Sequence, residues 1–116
     1  MSYLLQYARR PTPHRGAARV DERLRLNFAM YDGGAEVRVF VEDTTAARYG
    51  EVPSPRLRLR ITDCANQIAL EFGVETPEQR ANSLHKIDTL VGALNRFRDG
   101  LIEEAALYAE RERRRR

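Results

Sequence analysis

Lysine is nearly missing from this chain. Nineteen of its twenty basic residues are arginine, and Lys86 is the only lysine. Tryptophan is absent, and the 116 residues hold one cysteine and two histidines. A single Cys64 excludes an internal disulfide and fits a reducing compartment. His14 and His85 lie far apart, with no cysteine or carboxylate cluster at metal-ligand spacing, so neither a metal nor a cofactor is expected. No run approaches the eighteen or so apolar residues of a membrane span. The opening Met1-Ser2-Tyr3-Leu4-Leu5-Gln6-Tyr7 is too short and too polar for a signal peptide. The expectation is a cytoplasmic protein with no membrane partner.

The residues that are present are modest in bulk and lopsided in kind. The chain is 42% apolar with a net charge of +3, enough for one domain with a small core. Guanidinium forks bind carboxylate and phosphate in bidentate fashion and stack on flat rings, which ammonium groups do poorly. An arginine-only cation set therefore suits phosphate-bearing partners, although a GC-rich genome produces the same bias.

Residues 1 to 19 read as an N-terminal edge strand or loop. Tyr3, Leu5 and Tyr7 alternate, and Pro11, Pro13 and Gly16 then punctuate the chain. Residues 20 to 75 read as an antiparallel sheet of two hairpins. In the first, Leu24, Leu26, Phe28 and Met30 alternate with Arg23, Arg25 and Asn27. The turn Tyr31-Asp32-Gly33-Gly34 comes next, and Val37, Val39 and Val41 return. Residues 43 to 55 form a loop closed by Pro53-Ser54-Pro55. In the second hairpin, Leu57, Leu59 and Ile61 lead through Asp63-Cys64-Ala65-Asn66 to Ile68, Leu70, Phe72 and Val74. Strict alternation predicts one buried face and one wet face. Arg23, Arg25, Arg38, Arg56, Arg58 and Arg60 fall on the wet face with Glu36, Glu42 and Glu71, where cross-strand ion pairs or a phosphate-binding surface both explain them.

Residues 76 to 116 read as helix. Thr76 is a good N-cap, Pro77 suits the first turn, and Gln79 can close a capping box. Leu84, Ile87, Val91, Leu94, Leu101, Ala105 and Tyr108 recur at steps of three and four, with one longer step across Phe97-Arg98. Gly100 marks a break or kink that would give two shorter helices, the alternative being one long, slightly bent helix. An unbroken helix of about 35 residues would run about 50 Å. A domain of this size should be only about 25 to 30 Å across. The stripe must therefore fold back as a lid on the sheet or meet a second copy, and a homodimer or higher homo-oligomer is expected. The fold class is α+β, with one face of the sheet covered by helix.

Catalytic constellations are missing. There is no phosphate-cradling glycine loop, Cys64 has no activating neighbour, and His85 and Asp88 form at most a surface pair at i, i+3. An enzyme is not expected. Binding groups are better represented: Asn82, Asn95, Arg96 and Arg98 flank the apolar stripe with Phe97 among them. Asparagine reads base edges, arginine neutralises phosphate and an aromatic ring stacks on a base. The segment Glu110-Arg111-Glu112-Arg113-Arg114-Arg115-Arg116 is strongly basic; it suits a helix C-terminus and could touch nucleic acid.

Two hairpins, a last strand ending in Phe72, a capped long helix and late arginines make the chain similar to the first-described class of phage Thoeris anti-defence proteins, over roughly residues 20 to 112. The resemblance implies a β-sheet with C-terminal helices and no catalysis. It implies capture of a cyclic nucleotide immune signal of the cyclic ADP-ribose type between subunits of an oligomer, in the host cytoplasm. Of the family's binding residues, the aromatic falls at Phe72 for stacking on adenine, the asparagine at Asn82 for a base or ribose edge, and the arginine at Arg98 for the pyrophosphate. Phe72 also alternates with the apolar face, which makes it equally a core residue. Asn95, Phe97, Arg25 and Arg23 complete the candidate ligand-binding set. The competing expectation is an arginine-rich nucleic-acid-binding accessory protein, against which the charge of only +3 argues. A structural adaptor without a small ligand is the third.

Overall fold

The computed structural model describes residues 18–30, 33–46 and 55–116. The expected strand or loop over 1–17, half of the Tyr31-to-Gly34 turn and most of the 43–55 loop lie outside the described residues. The chain divides into two compact units, Met1–Thr76 and Pro77–Arg116. The first carries four strands, β1 (Ala18–Arg25), β2 (Glu36–Glu42), β3 (Leu57–Asp63) and β4 (Asn66–Glu71), and the second a single helix, α1 (Pro77–Arg115). A four-stranded antiparallel sheet followed by one long helix is the α+β arrangement that the alternating and then helical periodicities predict.

The strands form a meander in the order β1-β2-β3-β4. Register aligns the apolar residues into rows: Leu24, Val37, Ile61 and Ile68 stand opposite one another across the four strands, and Val39, Leu59 and Leu70 form the next row. Glu22 occupies the β1 place in that second row. This charge at an apolar-face position interrupts the alternation and hides the first half of β1 from pattern reading.

β1 therefore starts earlier and ends earlier than the alternation of Leu24 to Met30 indicates. Its last pair is Arg25 with Glu36. One further backbone bond follows, with Leu26 N–H donating to Ala35 C=O at 3.0 Å, and then the partner side reaches Gly33 and Gly34. Glycines give a strand no side chain to pack, so Phe28 and Met30 have no ladder to join and are 80% and 88% exposed. β4 likewise stops at Glu71, one residue before Phe72, and Gly73 follows.

The second hairpin turns through two residues, Cys64 and Ala65, as the sequence indicates. Cys64 has φ of 56° and Gly33 has φ of 112°, the only described residues in the left-handed half of the map. Positive φ at the first turn position alone is the pattern of a type II′ hairpin, which favours glycine there.

The expected wet face is not uniformly wet. Arg38 and Glu42 are buried, whereas Leu24 and Ile68 on the apolar side are about half exposed. The cause of the first is the register. Arg23, Arg38 and Arg60 stand directly opposite one another on β1, β2 and β3, so two long side chains flank the central one. Glu42 is held because its Oε1 accepts the Arg56 N–H at 2.9 Å. Among the described residues the only buried apolar side chain is Ala35.

α1 is continuous for 39 residues, about 58 Å at 1.5 Å per residue. Pro77 is its first residue and Thr76 precedes it, as the capping signal predicts. The expected break at Gly100 is absent. Glycine costs only about 1 kcal/mol in a helix interior, and Leu101, Glu103, Glu104, Ala105 and Ala106 favour propagation, with no proline to stop it. Along the helix Leu84, Val91, Leu94, Phe97, Leu101, Ile102, Leu107 and Tyr108 are exposed.

Candidate anion-binding site

The candidate residues divide between the two units. Arg23, Arg25 and Phe72 belong to the sheet unit, and Asn82, Asn95, Phe97 and Arg98 to the helix.

In the sheet, Arg23 and Arg25 lie on the face shared with Arg38, Arg58 and Arg60. Arg23 Nε donates to both carboxylate oxygens of Glu36, at 3.0 and 3.2 Å. Arg58 stands opposite Glu71, with 4.0 Å between Nε and Oε2. Cross-strand ion pairing therefore accounts for part of the arginine-rich face. The row Arg23, Arg38, Arg60 is different, because like charges directly opposite one another repel. Burial holds the Arg38 guanidinium below its ordinary pKa, Arg23 and Arg60 push in the same direction, and Glu36 and Asp21 oppose them. Phe72 is half buried just beyond β4.

At the far end of the strands, Asp43 anchors a second cluster. Its Oδ1 accepts from Thr45 N–H at 2.9 Å and from Arg19 at 3.0 Å, and Arg19 also donates to Thr45 Oγ1 at 3.3 Å. The hydrogen bonds to Thr45, and then the charge of Arg19, keep the Asp43 carboxyl below its usual pKa. Arg19 sits where the β1–β2 register shifts. This arrangement ties a bulge to a turn.

On α1 the stripe of Leu84, Ile87, Val91, Leu94, Leu101, Ala105 and Tyr108 skips one place, and that place is Arg98. In a seven-residue repeat Leu84, Val91, Arg98 and Ala105 occupy one seam position, and Ile87, Leu94, Leu101 and Tyr108 the other. Arg98 is a cation in the middle of an apolar seam. Its neighbours one turn away are Leu94, Asn95, Leu101 and Ile102, none of them acidic. No ion pair of Arg98 is present among the described residues. Asn95 lies three residues before it on the same side, with Phe97 beside them and 68% exposed.

Asn82 does not join this group. It precedes Arg98 by sixteen residues, which is about 24 Å along the axis and about 160° around it. A pocket using both must take them from different copies. His85 Nε2 lies 3.4 Å from Thr89 Oγ1, one turn on, and the His85–Asp88 pair that the spacing permits is not formed. Among the described residues no group of three or more His, Cys, Asp or Glu could hold a metal ion, and no helix is long and apolar enough to cross a membrane.

The last turns of α1 carry a feature that residue types alone did not reveal. The Arg111 guanidinium lies over the Tyr108 ring, 5.5 Å from its centre. Tyr108, Arg111, Arg114 and Arg115 border one open stretch of the helix surface. The signal was present as the i, i+3 spacing of tyrosine and arginine. Comparison with protein-family models, with curated proteins and with solved structures gives no match.

Proposed function

We propose that this protein is a non-catalytic homo-oligomer that sequesters a phosphate-bearing cyclic nucleotide, of the cyclic ADP-ribose type, between its subunits. In a phage-infected cell this would remove an immune signal intact. The observation that carries the reading is Arg98, a guanidinium set into an otherwise apolar seam with no carboxylate at the positions three or four residues away. A polar residue at a seam position lowers the stability of helix pairing. A bound pyrophosphate between subunits would supply the missing counter-charge and make that position useful. Asn95 and Phe97 alongside it offer an amide for a base edge and a ring for stacking. Phe72 and Asn82 join the site if the second copy supplies them.

The test is capture and release. Purified protein is incubated with isomers of cyclic ADP-ribose, stripped of unbound ligand and heated, and the supernatant is analysed by chromatography. Recovery of unaltered ligand supports the reading, whereas its consumption identifies an enzyme. Arg98→Leu gives a sharper signature. It should lower capture at least tenfold while raising the melting temperature of the oligomer, because an apolar residue completes the seam. Capture that survives this change removes Arg98 from the site.

A further inference from the structure

We infer that the last turns of α1 form a second binding surface, for single-stranded nucleic acid, separate from the proposed cyclic-nucleotide site. Charge distribution is the first observation. Residues 110–116 hold five arginines and two glutamates, a balance of +3, which equals the net charge of the whole chain. Every other residue together sums to zero, so the net positive charge of the chain is concentrated at one helix end. Screening limits exposed charges to about 10 Å at 0.1 M salt, and a cluster this dense still presents its cations within that range of one another.

Pairing within the cluster is the second observation. Glu110 takes both Arg113 and Arg114, the latter at 3.4 Å from Nε to Oε2. Arg111, Arg115 and Arg116 form no ion pair among the described residues. The third observation is the cation–ring contact, in which Arg111 lies over Tyr108 with Arg114 and Arg115 on the same open surface. Guanidinium forks grip successive phosphates, and an aromatic ring beside them accepts a base, which is the combination that binds single strands without sequence preference. Anionic membrane fits less well, because residues 109–116 contain no large apolar side chain to insert between lipids. Tyr108 is the last residue of the apolar seam, so the arginines beyond it are not seam positions.

The experiment is fluorescence anisotropy with the full chain and a fluorescein-labelled 15-residue oligothymidylate. Binding should weaken on the order of 10- to 100-fold between 50 and 200 mM salt, as expected for three to five phosphates neutralised on a single strand. The triple change Arg111→Gln, Arg114→Gln, Arg115→Gln should lower affinity at least tenfold and reduce the salt slope by about 2. Helicity should persist, since glutamine is a good helix former. Tyr108→Leu retains an apolar seam residue and should cost at least fivefold on oligothymidylate but nothing on inorganic polyphosphate, which has no bases. Absence of binding at 50 mM salt overturns the inference, and so does a triple variant that binds as before. Binding to phosphatidylserine vesicles but not to the oligonucleotide also overturns it and identifies a lipid surface. Capture of cyclic ADP-ribose by the triple variant should be unchanged, so failure here is distinguishable from failure of the capture reading.

Discussion

Cys64 shows how a single backbone angle carries a measurable energy. It is exposed, with φ of 56°, at the first turn position of the β3–β4 hairpin. A residue with a Cβ gives up about 1–2 kcal/mol in the left-handed region, and glycine gives back only part of that through its greater freedom when unfolded. Cys64→Gly should therefore stabilise the sheet unit by about 0.5–1 kcal/mol, read as a rise in the denaturant midpoint with an unchanged slope. An unchanged or lower midpoint would mean that the thiol makes a contact worth more than the strain. Gly33 is the converse case: at φ of 112°, an added Cβ would stand 3.4 Å from the Asn27 amide nitrogen, so Gly33→Ala should destabilise.

At the scale of elements, α1 and the second hairpin were the most legible parts, because their signals were local. A threonine-proline start, apolar steps of three and four, and a two-residue turn each need only a few neighbours to be read. β1 was legible only from Leu24, since Glu22 stands in an apolar row and conceals Ala18 to Glu22. The burial of Arg38 could not be read from alternation, because it follows from the register that places Arg23 and Arg60 on either side. Of the candidate site, the types at Asn95, Phe97 and Arg98 were legible, but the distance of Asn82 from Arg98 required a helix that does not break. Gly100 reads as a stop in the sequence, yet the helix runs through it. Because it is helical and a Cβ there meets nothing within 4 Å, Gly100→Ala should add about 1 kcal/mol to helix stability. Thermal unfolding followed by circular dichroism at 222 nm checks this. A loss of stability would show that the position needs close approach by another backbone.

For the whole molecule the decisive fact is the exposed apolar seam of α1. A domain of this length ordinarily buries about two thirds of the surface its unfolded chain exposes, yet only Ala35 is a buried apolar residue among those described. Besides Tyr108, the seam of α1 presents six apolar side chains, the larger of them worth roughly 1.5–3 kcal/mol each if fully buried. That is enough to exceed the roughly 4–15 kcal/mol cost of association over part of its range. Helix orientation then follows from charge. Parallel pairing would set two +3 segments side by side, whereas antiparallel pairing places them at opposite ends of helices about 58 Å long, well beyond the screening length. Arg98 lies two residues from the middle of the seam, so antiparallel pairing also brings the two guanidiniums within about 6 Å along the axis, close enough to share one pyrophosphate. The expected outcome in light scattering is a mass of at least twice 13.4 kDa, unchanged between 50 and 500 mM salt. Leu94→Arg, which adds a cation beside Arg98 at the centre of the seam, should reduce it to a single chain. A wild-type particle of one chain mass would dissolve the proposed seam, and self-association that strengthens with salt would reverse the helix orientation.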